Sequence, residues 1–184
     1  MTAVTTELGG QPLDESLFDP ICDLYADTFS VPPFAWDDHE SERQRDNLRQ
    51  LLGDPTFGLA VARIEGDELV GFVYGVRVPP NTRRWQGFVT PLAPELPAEW
   101  EGRTFAVVDM AVRHGWRGQG IGRRLLQTLL TSRHEERATL TVEPAAEATQ
   151  GFYRHLGWQH VGRKRTSEGF FIPFFDVYVL PLAS

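Results

Sequence analysis

Between Asp109 and Arg124 the sequence reads DMAVRHGWRGQGIGRR, which places one carboxylate, four glycines and four arginines within sixteen residues. Asp109 is the only charge in the apolar run FAVVDMAV, Phe105 to Val112. An ionised carboxylate inside such a run is costly unless it has a partner or a task. It is either a proton acceptor or a structural aspartate satisfied by backbone or by an arginine. Gly115, Gly118, Gly120 and Gly122 remove side chains where the chain turns into the next element. If a helix begins there, its first N–H groups lack partners and its positive end faces outward, so a phosphate or pyrophosphate fits without a dedicated cage. Arg117 adds a full charge beside it. The competing reading is a glycine-rich strand-to-helix turn without a ligand.

These residues must be positioned by a strand and a helix, and the flanks supply both. Phe105 to Val112 has the apolar, β-branched composition of a central strand buried on both faces. From Ile121 onward, Ile121, Leu125, Leu126, Leu129 and Leu130 recur at helical spacing, with Arg123, Arg124, Gln127 and Thr128 opposite. Two other phosphate loops do not fit. A P-loop requires Lys-Ser/Thr after its last glycine, where this chain has Arg123 and Arg124, and a dinucleotide fingerprint requires GxGxxG, whereas Gly118, Gly120 and Gly122 are two apart.

An apolar strand followed by Arg-x-x-Gly-x-Gly opening a helix, here Arg117, Gly120 and Gly122, resembles the signature of the GNAT superfamily of N-acetyltransferases. A second segment, Gln150 to Trp158 (QGFYRHLGW), resembles that family's other signature, a helix with Phe-Tyr near its end and Gly-aromatic after it. The resemblance implies acetyl-CoA as co-substrate. The amides of the loop would hold its pyrophosphate, with Arg117, Gly118, Gln119, Gly120, Ile121, Gly122 and Arg123 as contacts, and Met110, Ala111 and Val112 would border the pantetheine arm. It also implies that Tyr153 points at the CoA sulfur, where a phenol of pKa about 10 can protonate a departing thiolate. A tyrosine half-buried in the core is the alternative. Backbone N–H groups at Met110 and Val112 become the expected oxyanion donors. Asp109 is the first candidate for the base that an amine of pKa near 10.4 requires. Two positions depart from the family pattern. The strand before the tyrosine helix lacks a glutamate, with Glu143 just past its end, and Ala146 stands where many members carry asparagine.

The remaining elements follow in order. A helix is expected over Glu15 to Phe29 around Pro20, then a loop Ser30 to Trp36, then a helix His39 to Leu52 capped by Asp37 or Asp38. Phe57 to Ile64 and Glu68 to Val78 read as a hairpin turning at Glu65, Gly66 and Asp67. Pro79 to Arg103, with five prolines and two tryptophans, has no period; loops of this length are uncommon in compact domains, and this one is too apolar to be a solvated linker. It is an insertion serving as a lid on the acceptor side, or else a local flap or dimer contact. Phe34 and Trp36, by the resemblance, and Trp85, by the lid reading, are the candidate acceptor contacts; aromatics packed under loops are the alternative. Ala138 to Val142 is a short strand. Ala148, Phe152 and Leu156 mark a helix ended by Gly157, and Trp158 to Arg165 with Phe170 to Leu180 make a closing hairpin about Ser167, Glu168 and Gly169.

The expected fold class is therefore α/β (mixed α+β), a GNAT-type fold with a mixed, mostly antiparallel twisted sheet flanked by helices, covering about Ile21 to Leu180. With 184 residues the chain is read as one domain, 1–184, with 1–13 flexible and 79–103 inserted. A hydrophobic content of 41% with 23% charged residues is ordinary for a globular protein. The formal charge of -7 disfavours nucleic acid or an anionic membrane as partner and favours a cationic amine acceptor. A single cysteine, Cys22, suits a reducing compartment. With no signal-like start and no long apolar run, a cytoplasmic monomer or homodimer is expected. The five histidines show no metal-ligand spacing, so no metal is expected. The functional expectation is acetyl transfer to a primary amine of a small molecule or peptide by direct attack in a ternary complex. Use of another acyl-CoA, or a non-catalytic acyl-CoA-binding module, are the alternatives.

Overall fold

The computed structural model describes residues 3–10 and 13–182. It contains seven strands and four α-helices: β1 Val4–Leu8, α1 Phe18–Phe29, α2 Asp38–Leu51, β2 Gly58–Ile64, β3 Leu69–Arg77, β4 Thr104–Val112, α3 Ile121–Thr131, β5 Arg137–Val142, α4 Glu147–His155, β6 Gln159–Arg165 and β7 Phe174–Pro181. Hydrogen bonding orders the strands β1-β2-β3-β4-β5-β7-β6. The β4–β5 pair is parallel, whereas β1–β2, β2–β3, β5–β7 and β6–β7 are antiparallel, so the expected mixed, mostly antiparallel class holds. The chain divides into two compact units, Met1–Val76 with Val107–Arg133, and Arg77–Ala106 with His134–Ser184; β4 runs through both.

In the first unit, α1 follows one turn of 3-10 helix at Glu15–Leu17 and carries Pro20 in its first turn, where no intrahelical donor is lost. Asp37 caps α2, its carboxylate accepting from Glu40 N–H at 3.2 Å. Leu24 and Leu48 of these helices bury against Leu59, Phe72 and Tyr74 of the hairpin. The hairpin turn uses positive φ at Gly66 and Asp67. α3 lies over β1, β2 and Gly71 of β3, where an added Cβ would sit 3.0 Å from Leu125 and 3.2 Å from the Ala111 carbonyl. That close approach fixes the height of α3 above the sheet.

One difference from the sequence reading falls here. Residues 4–8, within the segment expected to be flexible, form β1, paired with β2 from Val4 opposite Ile64 to Leu8 opposite Ala60. Residues 1, 2, 11 and 12 lie outside the described residues. The strand escaped notice because it is short and only Val4 and Thr6 turn inward, too few for a period to register.

In the second unit, the start of β4 pairs with β5 at Thr104, Phe105 and Ala106, and β7 lies between β5 and β6. Residues 79–103 are irregular, as expected, but they pack on the sheet of their own unit. Trp85, Phe88, Leu92 and Leu96 cluster with Val161, Val177 and Val179. Val89 N–H donates to Arg163 O and Arg165 N–H to Gly87 O, both at 2.9 Å. A Cβ on Gly162 would meet Phe88 at 2.9 Å, so only glycine lets that ring close on β6. Beneath, Arg137 donates to Thr104 Oγ1, Leu96 O and Glu99 Oε1, each at 2.8 Å. The insertion is thus fastened to its own unit by apolar contact and a buried ion pair. β7 begins at Phe174 rather than Phe170, because 166–173 form a longer connection, closed by Thr166 N–H on Pro173 O.

Candidate active site

The strand-to-helix device is built as its residue types require. β4 is buried over Thr104–Val107 and half-buried over Val108, Asp109 and Met110, so its end is more open than a strand covered on both faces. Arg113 leaves β4 with its N–H on Val70 O, and a 3-10 turn over His114–Trp116 follows. Gly118 and Gly120 then take φ of 75° and 73°, a left-handed conformation costly for other residues. Gly120 is the N-cap of α3, with no side-chain cap and no acidic residue in the first turn. The first helical bond runs from Arg124 N–H to Gly120 O, which leaves the amides of Ile121, Gly122 and Arg123 without helical acceptors. An added Cβ on Gly118 would meet nothing within 4 Å, so backbone is what this surface offers. Arg117 Nε is held on Val112 O at 2.9 Å and Arg124 Nη1 on Gln119 O at 3.2 Å, which tether exposed guanidinium groups around the turn. Uncapped amides, open glycines and nearby arginines fit a pyrophosphate.

Asp109 sits at the head of a polar chain that its own segment does not reveal. Tyr74 O–H on β3 donates to Asp109 Oδ2, and Gln44 Nε2 on α2 donates to the Tyr74 oxygen at 3.0 Å. Gln44, only 4% exposed, holds its Oε1 buried without a hydrogen-bond partner among the described residues. Burial pushes the Asp109 carboxyl up to about 6, against the Tyr74 hydrogen bond, which lowers it. Tyr74 is raised well above 10 by burial, then by the charge of Asp109, and therefore remains a donor. Tyr25 of α1 is raised as well, by burial and by Asp109 and Glu40. A half-buried carboxylate that titrates near neutrality can both hold and release a proton.

Tyr153, 6% exposed, lies in the last turn of α4 in the second unit. That turn closes with Gly157 N–H on Arg154 O at 3.0 Å and Trp158 N–H on Tyr153 O at 3.1 Å, Gly157 having φ of 92°. This is a Schellman ending, and Trp158 then packs edge-on to Tyr153 at 5.8 Å, so the Gly-Trp pair of the sequence motif sets the tyrosine ring. α4 is pinned to β7 by Gln150, which donates to Asp176 at 3.0 Å and accepts from Tyr178 O–H at 2.6 Å. Burial alone would raise Asp176, yet hydrogen bonds from Arg163, Gln150 and His160 hold it below the usual carboxylate range. Asp176 is 3% exposed and engages Arg163 through both oxygens, at 2.9 and 3.1 Å.

A family model described as acetyltransferase (GNAT) family matches residues 18–158, well over half of the chain. The chain belongs to the GNAT acetyltransferase family. As a GNAT protein it is a transferase of the acyl-transfer class, and the family uses acetyl-CoA. Its fold is shared by a GNAT acetyltransferase from Elizabethkingia anophelis with acetyl-CoA bound, at 12% identity and a TM-score of 0.59, covering 97% of this chain and 98% of that one. A GNAT acetyltransferase from Staphylococcus aureus Mu50 is similar at 17% identity and a TM-score of 0.64, over 98% and 100% of the two chains. The ribosomal-protein-S18-alanine N-acetyltransferase of Escherichia coli is similar at 13% identity and a TM-score of 0.65, over 100% and 96%. No curated protein sequence matches the chain.

The expected acceptor contacts of this GNAT chain separate. Phe34 and Trp36 join Phe29 in an aromatic stack, Trp36 lying 4.8 Å from Phe29 at 13° between planes, and both remain partly exposed. Trp85 is different. It is 7% exposed, its Nε1 donates to Glu99 at 2.8 Å, and the Arg137 guanidinium covers its ring at 4.7 Å. Its side chain is committed to the core of the second unit, the arrangement that the packed-aromatic alternative describes. Accordingly Trp85→Phe, measured by chemical denaturation, costs about 1 to 2 kcal/mol through the lost hydrogen bond and trimmed packing, with KM for acetyl-CoA unchanged. Among the described residues no group of three or more His, Cys, Asp and Glu stands ready to hold a metal ion, and no helix is long and apolar enough to cross a membrane.

Proposed function

We propose that the chain is an acetyl-CoA-dependent N-acetyltransferase that transfers the acetyl group to a primary amine of a small molecule or peptide, the amine attacking directly in a ternary complex. The observation that carries this reading is Asp109, a half-buried carboxylate held near neutral titration on the strand that leads into the uncapped amides of α3. A nucleophilic amine must lose a proton as its nitrogen bonds to the acetyl carbon, and a base titrating near 6 is ionised and able to accept it at pH 7 to 8. Amine acceptors are also within the reach of this fold, since one protein that shares it is an alanine N-acetyltransferase.

The roles divide by residue. Backbone amides of Gly118 to Arg123, with Arg117, bind the pyrophosphate of the co-substrate, and Met110, Ala111 and Val112 border its pantetheine arm. Backbone N–H groups at Met110 and Val112 face the acetyl oxygen. Asp109 accepts the amine proton, directly or through water, with Tyr74 and Gln44 holding its orientation. As the carbon–sulfur bond breaks, Tyr153 gives its phenolic proton to the sulfur. Phe34 and Trp36 supply apolar surface to the acceptor.

The test combines binding with turnover. At a hundredfold excess over Kd, acetyl-CoA stabilises a folded protein by about 2.7 kcal/mol, visible as a rise in Tm. Gly120→Asp puts a side chain into left-handed backbone and a negative charge against the pyrophosphate. The variant is expected to lose most of that rise, its affinity falling by about tenfold or more. An undiminished rise removes the loop from the co-substrate site. Release of CoA thiol in the presence of an amine panel, and not of alcohols, identifies N-acetylation.

A further inference from the structure

We propose that a pocket on the second unit, lined by Arg84, Lys164, Arg165, Phe170 and Phe175, binds the carboxylate or phosphate group of a small organic anion other than acetyl-CoA. The pocket holds about 150 Å³, roughly five times the share of a water in the liquid. That is room for an oxyanion and a modest apolar body.

Its charge is the first argument. Three cations line it and none of its lining residues is acidic, in a chain whose formal charge is -7. Among the described residues, none of the three has a carboxylate within ion-pair distance. Arg84 Nε is buried without a hydrogen-bond partner. Lys164 Nζ spends donors on the carbonyls of Arg84, at 2.5 Å, and Arg83, at 3.4 Å, which hold the ammonium in place without neutralising it. Burial lowers Arg84 to about 10, although the charge of Glu99 opposes the shift, and burial together with the charge of Arg84 lowers Lys164. Glu99 is bound through Oε1 by Arg137, Trp85 and Thr104, while its Oε2 has no hydrogen-bond partner among the described residues. Arg84 and Lys164, drawn partly out of water and balanced among the described residues only by Glu99, which also pairs with Arg137, are better neutralised when an anion completes the site.

The shape is the second argument. Thr141 and Ser167 bring hydroxyls to the pocket, and the 166–173 connection brings an aromatic wall. Phe170 and Phe175 meet edge to face at 5.8 Å, and Phe170 is left 37% exposed. An anion with an apolar body neutralises the cations and covers that ring at once. Arginine supplies the planar donor fork suited to both carboxylate and phosphate.

The test is calorimetric titration of the intact protein at low ionic strength with phenylacetate and phenyl phosphate, and with benzylammonium as the cationic control. Saturable one-to-one binding of at least one anion is expected, with none of the ammonium, and comparing the two anions tells which oxyanion the pocket takes. Arg165→Ala, at an exposed position, and Lys164→Met should each weaken that binding about tenfold or more, while the rise in Tm caused by acetyl-CoA stays as in the parent. The proposal fails if neither anion saturates, if both variants bind as the parent does, or if acetyl-CoA displaces the bound anion. Because the readout is binding of the probe alone, loss of this site would leave the acetyl-transfer reading untouched, and the reverse holds too.

Discussion

Replacing Asp109 with asparagine is expected to lower kcat/KM by about 10²- to 10⁴-fold while Tm at pH 7 to 8 holds or rises. Activity and stability part company here because the carboxylate is a raised acid. Its folded-state value of about 6 lies above the usual 3.8, so the folded protein binds this proton more tightly than the unfolded chain does. Its contribution to stability is greatest below 3.8, declines as pH rises to about 6, and stays diminished above. The amide of Asp109→Asn still accepts the Tyr74 hydrogen bond but carries no charge. It lifts up to about 3 kcal/mol of that burden at neutral pH, and the difference in Tm between parent and variant should shrink as pH falls toward 4. In the pH profile, kcat/KM of the parent falls as acid is added through about 6, and this limb disappears in the variant. Tyr74→Phe removes the hydrogen bond that lowers Asp109, so the limb should move to higher pH. A variant that loses stability yet keeps parental activity per folded molecule would make Asp109 structural, with Glu143 or water next to be tested as the base.

Tyr153→Phe is the second large effect. Turnover should fall by roughly ten- to a thousandfold, with acetyl-CoA affinity kept within about twofold. The ring stays, and with it the edge-on packing against Trp158, so only the proton is withdrawn. Equilibrium binding and single-turnover rates separate the two quantities. Turnover at the parental rate would mean that water or another group protonates the sulfur.

Local signals carried the fold a long way. Positive φ at Gly118, Gly120 and Gly157, the Asp37 cap and the apolar period of α3 are all consequences of residues within a few places of one another, so they could be read along the chain. Distant partners could not. The glutamine that holds Tyr74 is 30 residues from it, and Asp109 is 35 residues beyond that tyrosine; periodicity states which face a residue occupies and not what it meets there. For the same reason the lone charge of Asp109 marked it as costly without naming Tyr74. Trp85, an aromatic in an irregular segment, looks available in the sequence, whereas Glu99 from the same segment and Arg137 from β5 enclose it. Gln150, Asp176 and Tyr178, which pin α4, gave no warning beyond being polar residues in apolar runs.

The contact of residues 87–89 with β6 bears on how the molecule remains in solution. β6 is the last strand of the sheet, and such a strand offers its free N–H and C=O groups to any extended segment, including the same strand of another molecule. Val89 and Gly87 occupy part of that row, and Phe88 fills the notch at Gly162. The tract from 79 to 103 is thus tied to a task that a solvated loop does not have. It can vary in length and sequence on its outer side, but any shortening that withdraws Gly87–Val89 leaves an unpaired strand facing water, and self-association through β6 becomes the cheapest way to cover it.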